Sequence, residues 1–104
     1  MSLRVNYDDL EIIGFDGGGI EMFNYEGQPF TGIVVSMKDG VVYTEEEYQN
    51  GYKEGLQKEY FFTSGVLRFE FTVRNNNLNG VFKTWDENGN LVKQSNWKDG
   101  AKIS

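Results

Sequence analysis

Asn50-Gly51-Tyr52-Lys53-Glu54-Gly55-Leu56-Gln57-Lys58-Glu59-Tyr60 is the stretch on which the fold turns. It starts with an Asx-Gly pair, the strongest short hairpin signal, because both central residues of the tightest hairpin turn take positive φ. Four residues on, Gly55 opens a run with Leu56 one place after it and Tyr60 five places after it. The same opening recurs at Gly32 and Gly80, at spacings of 23 and 25 residues. Each opening glycine is followed by a second one, at Gly40, Gly65 and Gly89, and eleven residues after those stand Gly51, Asn76 and Gly100. Asn76 in a glycine slot fits, since asparagine is one of the few residues that tolerates the left-handed conformation.

Asp39-Gly40, Asn50-Gly51, Asn79-Gly80, Asn88-Gly89 and Asp99-Gly100 are all Asx-Gly pairs, with Ser64-Gly65 a weaker version. Between them lie segments rich in Val, Phe, Tyr and Thr: 33–37, 41–48, 56–62, 66–73, 81–85 and 91–97. Their residue types and partial alternation predict strands, and no stretch of ten or more carries a helical period. Aligning the units puts Ile33, Leu56 and Val81 one place after the opening glycine, and Met37, Tyr60 and Trp85 five places after it. In the second strand Val42, Leu67 and Leu91 stand two places after the second glycine, and Tyr48, Val73 and Trp97 eight places after it. Two and eight have the same parity, so these residues are expected on one face of the strand.

Units of this length, opening with glycine and carrying an aromatic five places on, resemble MORN repeats. The variant repeat of bacterial antitoxin-like proteins is the more similar form. Tyr25-Glu26-Gly27-Gln28-Pro29-Phe30-Thr31-Gly32 resembles its entry, and the stretch from Asn50 to Tyr60 its link between repeats. The middle unit departs, with Asn75-Asn76-Asn77 at its close and Val73 in an aromatic slot. The resemblance implies an all-β fold: an antiparallel meander of about three and a half MORN-like β-hairpin repeats in one elongated, twisted sheet. Residues 20–104 would form the repeats, and residues 1–19 an N-terminal cap or extra strand closing the sheet edge.

Composition narrows the function. The 104 residues carry 16 Asp and Glu against 10 Lys and Arg, a net charge of −6. Residues 1–50 hold two bases against ten carboxylates, and residues 51–104 eight bases against six. Nucleic acid and anionic membranes want a basic face, so neither is an expected partner. Cysteine and histidine are both absent, which removes thiolate nucleophiles, the commonest general base and the commonest metal ligands. Gly17-Gly18-Gly19 lacks the Lys-Ser/Thr ending of a phosphate loop, and Asp86-Glu87-Asn88-Gly89-Asn90 has its glycine fourth rather than sixth for a calcium loop. Asp8 and Asp9 are adjacent and would point to opposite sides of an extended strand. No enzyme activity, cofactor or metal site is therefore expected. Without a basic leader or an apolar run of 18 residues, the chain is expected in the cytoplasm.

The expected function is a non-catalytic protein-binding repeat module. The resemblance implies an antitoxin or immunity-type protein that docks on and blocks a basic toxin. A general scaffold with another cytosolic partner, and a lipid-binding module at a membrane surface, are the alternatives. The binding surface is expected on an aromatic face around Tyr48, Tyr60 and Trp85, rimmed by Glu45, Glu46 and Glu47. Tyr and Trp dominate interface energies, and carboxylates beside them would select a basic partner.

Overall fold

The computed structural model describes residues 3–104, which are all-β. The strands are β1 (Arg4–Asn6), β2 (Glu11–Phe15), β3 (Glu21–Tyr25), β4 (Gln28–Pro29), β5 (Gly32–Lys38), β6 (Val41–Gln49), β7 (Tyr52–Tyr60), β8 (Leu67–Arg74), β9 (Asn77–Leu78), β10 (Gly80–Trp85), β11 (Leu91–Lys98) and β12 (Ala101–Lys102). One 3-10 turn, Tyr7–Asp9, follows β1, with the Asn6 side chain accepting from the Asp8 N–H at 3.0 Å.

Most strands form one sheet in the order β1-β5-β6-β7-β8-β10-β11-β12, with β9 pairing off β8. From β5 onward this is the expected antiparallel meander of hairpin units. Two features differ from a single meander. β1 pairs β5 in parallel, Val5 opposite Val34. β2, β3 and β4 form a second, three-stranded sheet. That small sheet runs through the expected boundary at residues 19–20, which falls in the turn between β2 and β3. Met1 and Ser2 of the expected cap lie outside the described residues.

The turns follow from local chemistry. Asp39-Gly40, Asn50-Gly51 and Asp99-Gly100 have positive φ at both residues, as the tightest hairpin turns require. Asn75-Asn76 does the same with φ of 52° and 67°, and so does Glu26-Gly27. Asn79-Gly80 and Asn88-Gly89 differ: only their glycines have positive φ. The latter belongs to a longer loop, in which the Asp86 N–H donates to the Asn90 carbonyl and the Asp86 Oδ1 accepts from the N–H groups of Asn88 and Asn90. The loop from Asp16 to Ile20 repeats this arrangement bond for bond. The loop before Gly65 is also longer than two residues, closed by the Phe61 N–H on Val66. It sets Lys58 opposite Glu70, where a two-residue turn would have set Glu59 there.

A β-bulge recurs in all three units, at the residue five places after the opening glycine. The register shifts between Ser36 and Met37, between Glu59 and Tyr60, and between Thr84 and Trp85. Tyr43, Arg68 and Val92 are the extra residues on the facing strand. Each bulge inverts the alternation beyond it. Val42, Leu67 and Leu91 therefore pair with Met37, Tyr60 and Trp85, whereas Tyr48, Val73 and Trp97 lie across from the opening glycines Gly32, Gly55 and Gly80. The expectation that offsets two and eight share a face is overturned: they lie on opposite faces of the sheet.

The core lies where the small sheet covers the large one. Phe23, Phe30, Val5, Val34 and Tyr48 are buried together, with Tyr7, Leu10 and Tyr25 packed against them. Phe23 meets Tyr7 edge-on and Tyr48 at a tilt, with ring centroids 5.6 and 5.0 Å apart. The backbone stitches the layers: the Phe23 N–H donates to the Gly51 carbonyl, the Gly51 N–H to Phe30, and the Phe30 N–H to Phe23. Farther along the same face Phe71 stacks on Phe82, and Phe69 meets Phe82 edge-on.

Candidate binding surface

The three carboxylates of the run at 45–47 sit mid-strand in β6, and the ladder sends them to alternate faces. Glu46 lies opposite Val34 and Gln57, on the side of the core. Glu45 lies opposite Val35 and Lys58, and Glu47 opposite Ile33, on the other side.

Each has a partner within the chain. Glu45 accepts from the Tyr60 hydroxyl and pairs with the Arg4 guanidinium. Glu46 pairs with Lys53 at 2.5 Å. Glu47 accepts from the Leu56 N–H at 2.6 Å, and a Cβ on Gly55 would intrude on that carboxylate. Gln57, 2% exposed beside this group, donates to the carbonyls of Glu47 and Gly55.

The six expected site residues do not form one face. Tyr48 is 4% exposed, and its hydroxyl donates to the Glu21 carbonyl at 2.9 Å. It belongs to the core beneath the small sheet. Burial pushes its phenol well above the ordinary value, with the charges of Glu46 and Glu21 adding to the effect. Tyr60 and Glu45 do meet, on the opposite face from Tyr48. Trp85 shares the face of Tyr60 but stands on β10, with β8 between them. Arg4 and Lys58 complete that cluster, while Lys53 pairs with Glu46 on the core side. Arg4 is 41 positions from Glu45, and nothing near either residue in sequence signals that contact.

The Tyr60–Glu45–Arg4 contact has a pH signature. Burial pushes the Glu45 carboxyl up, but the Tyr60 hydroxyl and the Arg4 guanidinium more than offset it, and the net shift is downward. A carboxylate lowered on folding stabilises above the ordinary carboxylate range, and the contribution is lost as pH falls through the folded value. Tyr60 is raised to about 12, first by burial and then by Glu45. Its contribution is complete below pH 10 and is lost as pH rises through about 12. Tyr60→Phe should return the Glu45 carboxyl toward its ordinary value and start acid destabilisation at a higher pH. Carboxyl titration by NMR and melting between pH 3 and 6, roughly the carboxylate range, check this. An unmoved Glu45 would show that Tyr60 does not hold it.

Beside this compensated run lies a surface of the opposite character. Residues 5–37 contain Asp8, Asp9, Glu11, Asp16, Glu21 and Glu26 and no lysine or arginine. Among the described residues none of these six carboxylates forms an ion pair. They lie on the 3-10 turn and the small sheet. The Asp16 carboxyl is held below its ordinary value by the backbone N–H of Ile20, against burial, with Gly18 and the Asn76 amide adding to the effect. Asn76 thus stands against the cap loop as well as shaping the turn of the middle unit.

Each of the three units has an opening glycine of positive φ, a strand ending in a bulge, a second strand and a left-handed turn. Residues 78–99 match the family model of the MORN repeat variant. The match spans the third hairpin, from Leu78 in β9 to Asp99 in the turn after β11, and it supports the MORN-repeat family for this chain. The other two MORN-like hairpins share its bulge position. No curated protein and no solved structure matches the chain. Among the described residues no group of three or more Asp or Glu could hold a metal ion, and no helix is long and apolar enough to cross a membrane.

Proposed function

We propose that this protein is a non-catalytic binding module whose partner is a basic protein, in an antitoxin or immunity-type role in which it covers a basic toxin domain. The observation that carries the reading is the acidic stretch of residues 5–37, six carboxylates with no base among them in sequence and, among the described residues, none in an ion pair. The MORN repeat match is consistent with a binding module. Repeat sheets offer extended surfaces for partners. An acidic field would steer a basic partner into encounter and raise the association rate. The resemblance to antitoxin-like variant repeats supports the finer role.

The test is capture of the partner, starting with the product of the neighbouring gene, followed by association kinetics against ionic strength. Asp8 and Asp9 are exposed and in no ion pair, so reversing both to Lys leaves the core untouched. The double reversal is expected to slow association about tenfold and to flatten its salt dependence. An association rate indifferent both to salt and to the double reversal would sink the reading.

A further inference from the structure

β2 is the outer strand of the small sheet, and among the described residues β3 is the only strand it pairs with. Its far edge therefore presents backbone N–H and C=O groups with no ladder partner among the described residues. It carries three large apolar side chains in five residues, and all are exposed: Ile12 at 51%, Ile13 at 50% and Phe15 at 66%. Ile12 pairs with buried Phe23, and Phe15 with Glu21, so both stand on the core side of the small sheet, beyond its last covered strand. Natural edge strands are blunted by lysine, proline or a bulge; β2 has neither lysine nor proline, and its one register shift lies between Ile12 and Gly14.

We infer that the open edge of β2 is a strand-addition site for an extended segment in which Lys or Arg alternates with apolar residues. The inference rests on the basic-partner reading above and names where that partner docks. Alternate side chains of an added strand point to opposite faces. Its apolar residues would continue the side on which Ile12 and Phe15 stand, and its basic residues would lie on the other side, where Glu11 stands opposite Asn24. Charge decides against a second copy of this chain: pairing β2 with β2 would bring two such acidic stretches together, six carboxylates against six.

The probe is a labelled peptide of about ten residues alternating lysine and valine, with a glutamate–valine counterpart and a version N-methylated at every residue. The lysine–valine peptide is expected to bind and to raise hydrogen-exchange protection at the amides of Glu11–Phe15. The N-methylated version should lose binding, since it cannot donate to the edge. Ile12→Lys and Phe15→Lys should each weaken binding about tenfold or more without lowering the melting temperature. Should one of these variants misfold, the other and the N-methylated peptide still decide the matter. Equal binding of the glutamate peptide, or no binding of the lysine peptide, overturns the inference. So does a dimer in sedimentation that Phe15→Lys dissolves, which would assign the edge to a second copy. If a basic partner binds with salt-dependent kinetics but protects residues elsewhere, the edge assignment fails while the basic-partner reading stands.

Discussion

Phe23→Ala is expected to cost about 3–5 kcal/mol, the usual range for emptying a buried phenylalanine site. Phe23 is 1% exposed and packs between Tyr7 and Tyr48, so it bridges the two sheets. The space it leaves is walled by Val5, Val34 and Phe30, which belong to three different segments and cannot collapse together. For a domain of this size the loss corresponds to a drop in melting temperature of roughly 15–25 °C. Phe15→Ala is the control: on the same small sheet, but 66% exposed, it should change stability by less than about 0.5 kcal/mol. Thermal melts of both variants check the pair. Equal melting of the two would mean that the small sheet does not depend on its seat over the large one.

Gly32→Ala should be the most damaging of the glycine substitutions. A Cβ at Gly32 would stand 2.3 Å from the Leu3 carbonyl oxygen and 2.9 Å from the Phe30 ring. The first of these is backbone, and that carbonyl accepts the Ile33 N–H at 2.7 Å, the bond that seats β1 against β5. The added methyl must push β1 away or displace a buried ring. Overpacking of this kind costs about 1–3 kcal/mol, and the lost hydrogen bond adds about 1 kcal/mol. Gly40→Ala isolates the conformational part: φ there is +78° and the space is open, so the cost should stay near 1 kcal/mol. Denaturant melts should rank Gly32→Ala well below Gly40→Ala, with faster exchange at the Ile33 amide. The reverse order would show that β1 is not held by this contact.

The candidate surface was legible in part. The acidity of the first half of the chain needs only counting. That Glu45, Glu46 and Glu47 alternate between faces follows from strand parity, which holds along that stretch of β6. Their partners do not follow. Arg4 reaches Glu45 because β1 joins the sheet in parallel beside β5, a pairing with no local signature. Lys53 reaches Glu46 because β7 carries extra residues between its pairings with Glu46 and Tyr48. The exposed edge of β2 is apolar in sequence, but only the sheet order shows that no described strand pairs with its far side.

The hairpin units were legible in the chain, because their turns depend on two adjacent residues and positive φ is favoured by glycine, asparagine and aspartate. Asp39-Gly40, Asn50-Gly51, Asn75-Asn76 and Asp99-Gly100 take that conformation at both residues and so mark where the strands end. Tertiary structure decided which face each side chain occupies. One extra residue per unit, at Tyr43, Arg68 and Val92, reverses the alternation, and a single-residue slip leaves no mark in composition or spacing. It also decided where the core lies. Val34, Tyr48 and Phe23 are ordinary strand residues until the small sheet folds over β5 and β6, and burial belongs to the pair of layers, not to either alone.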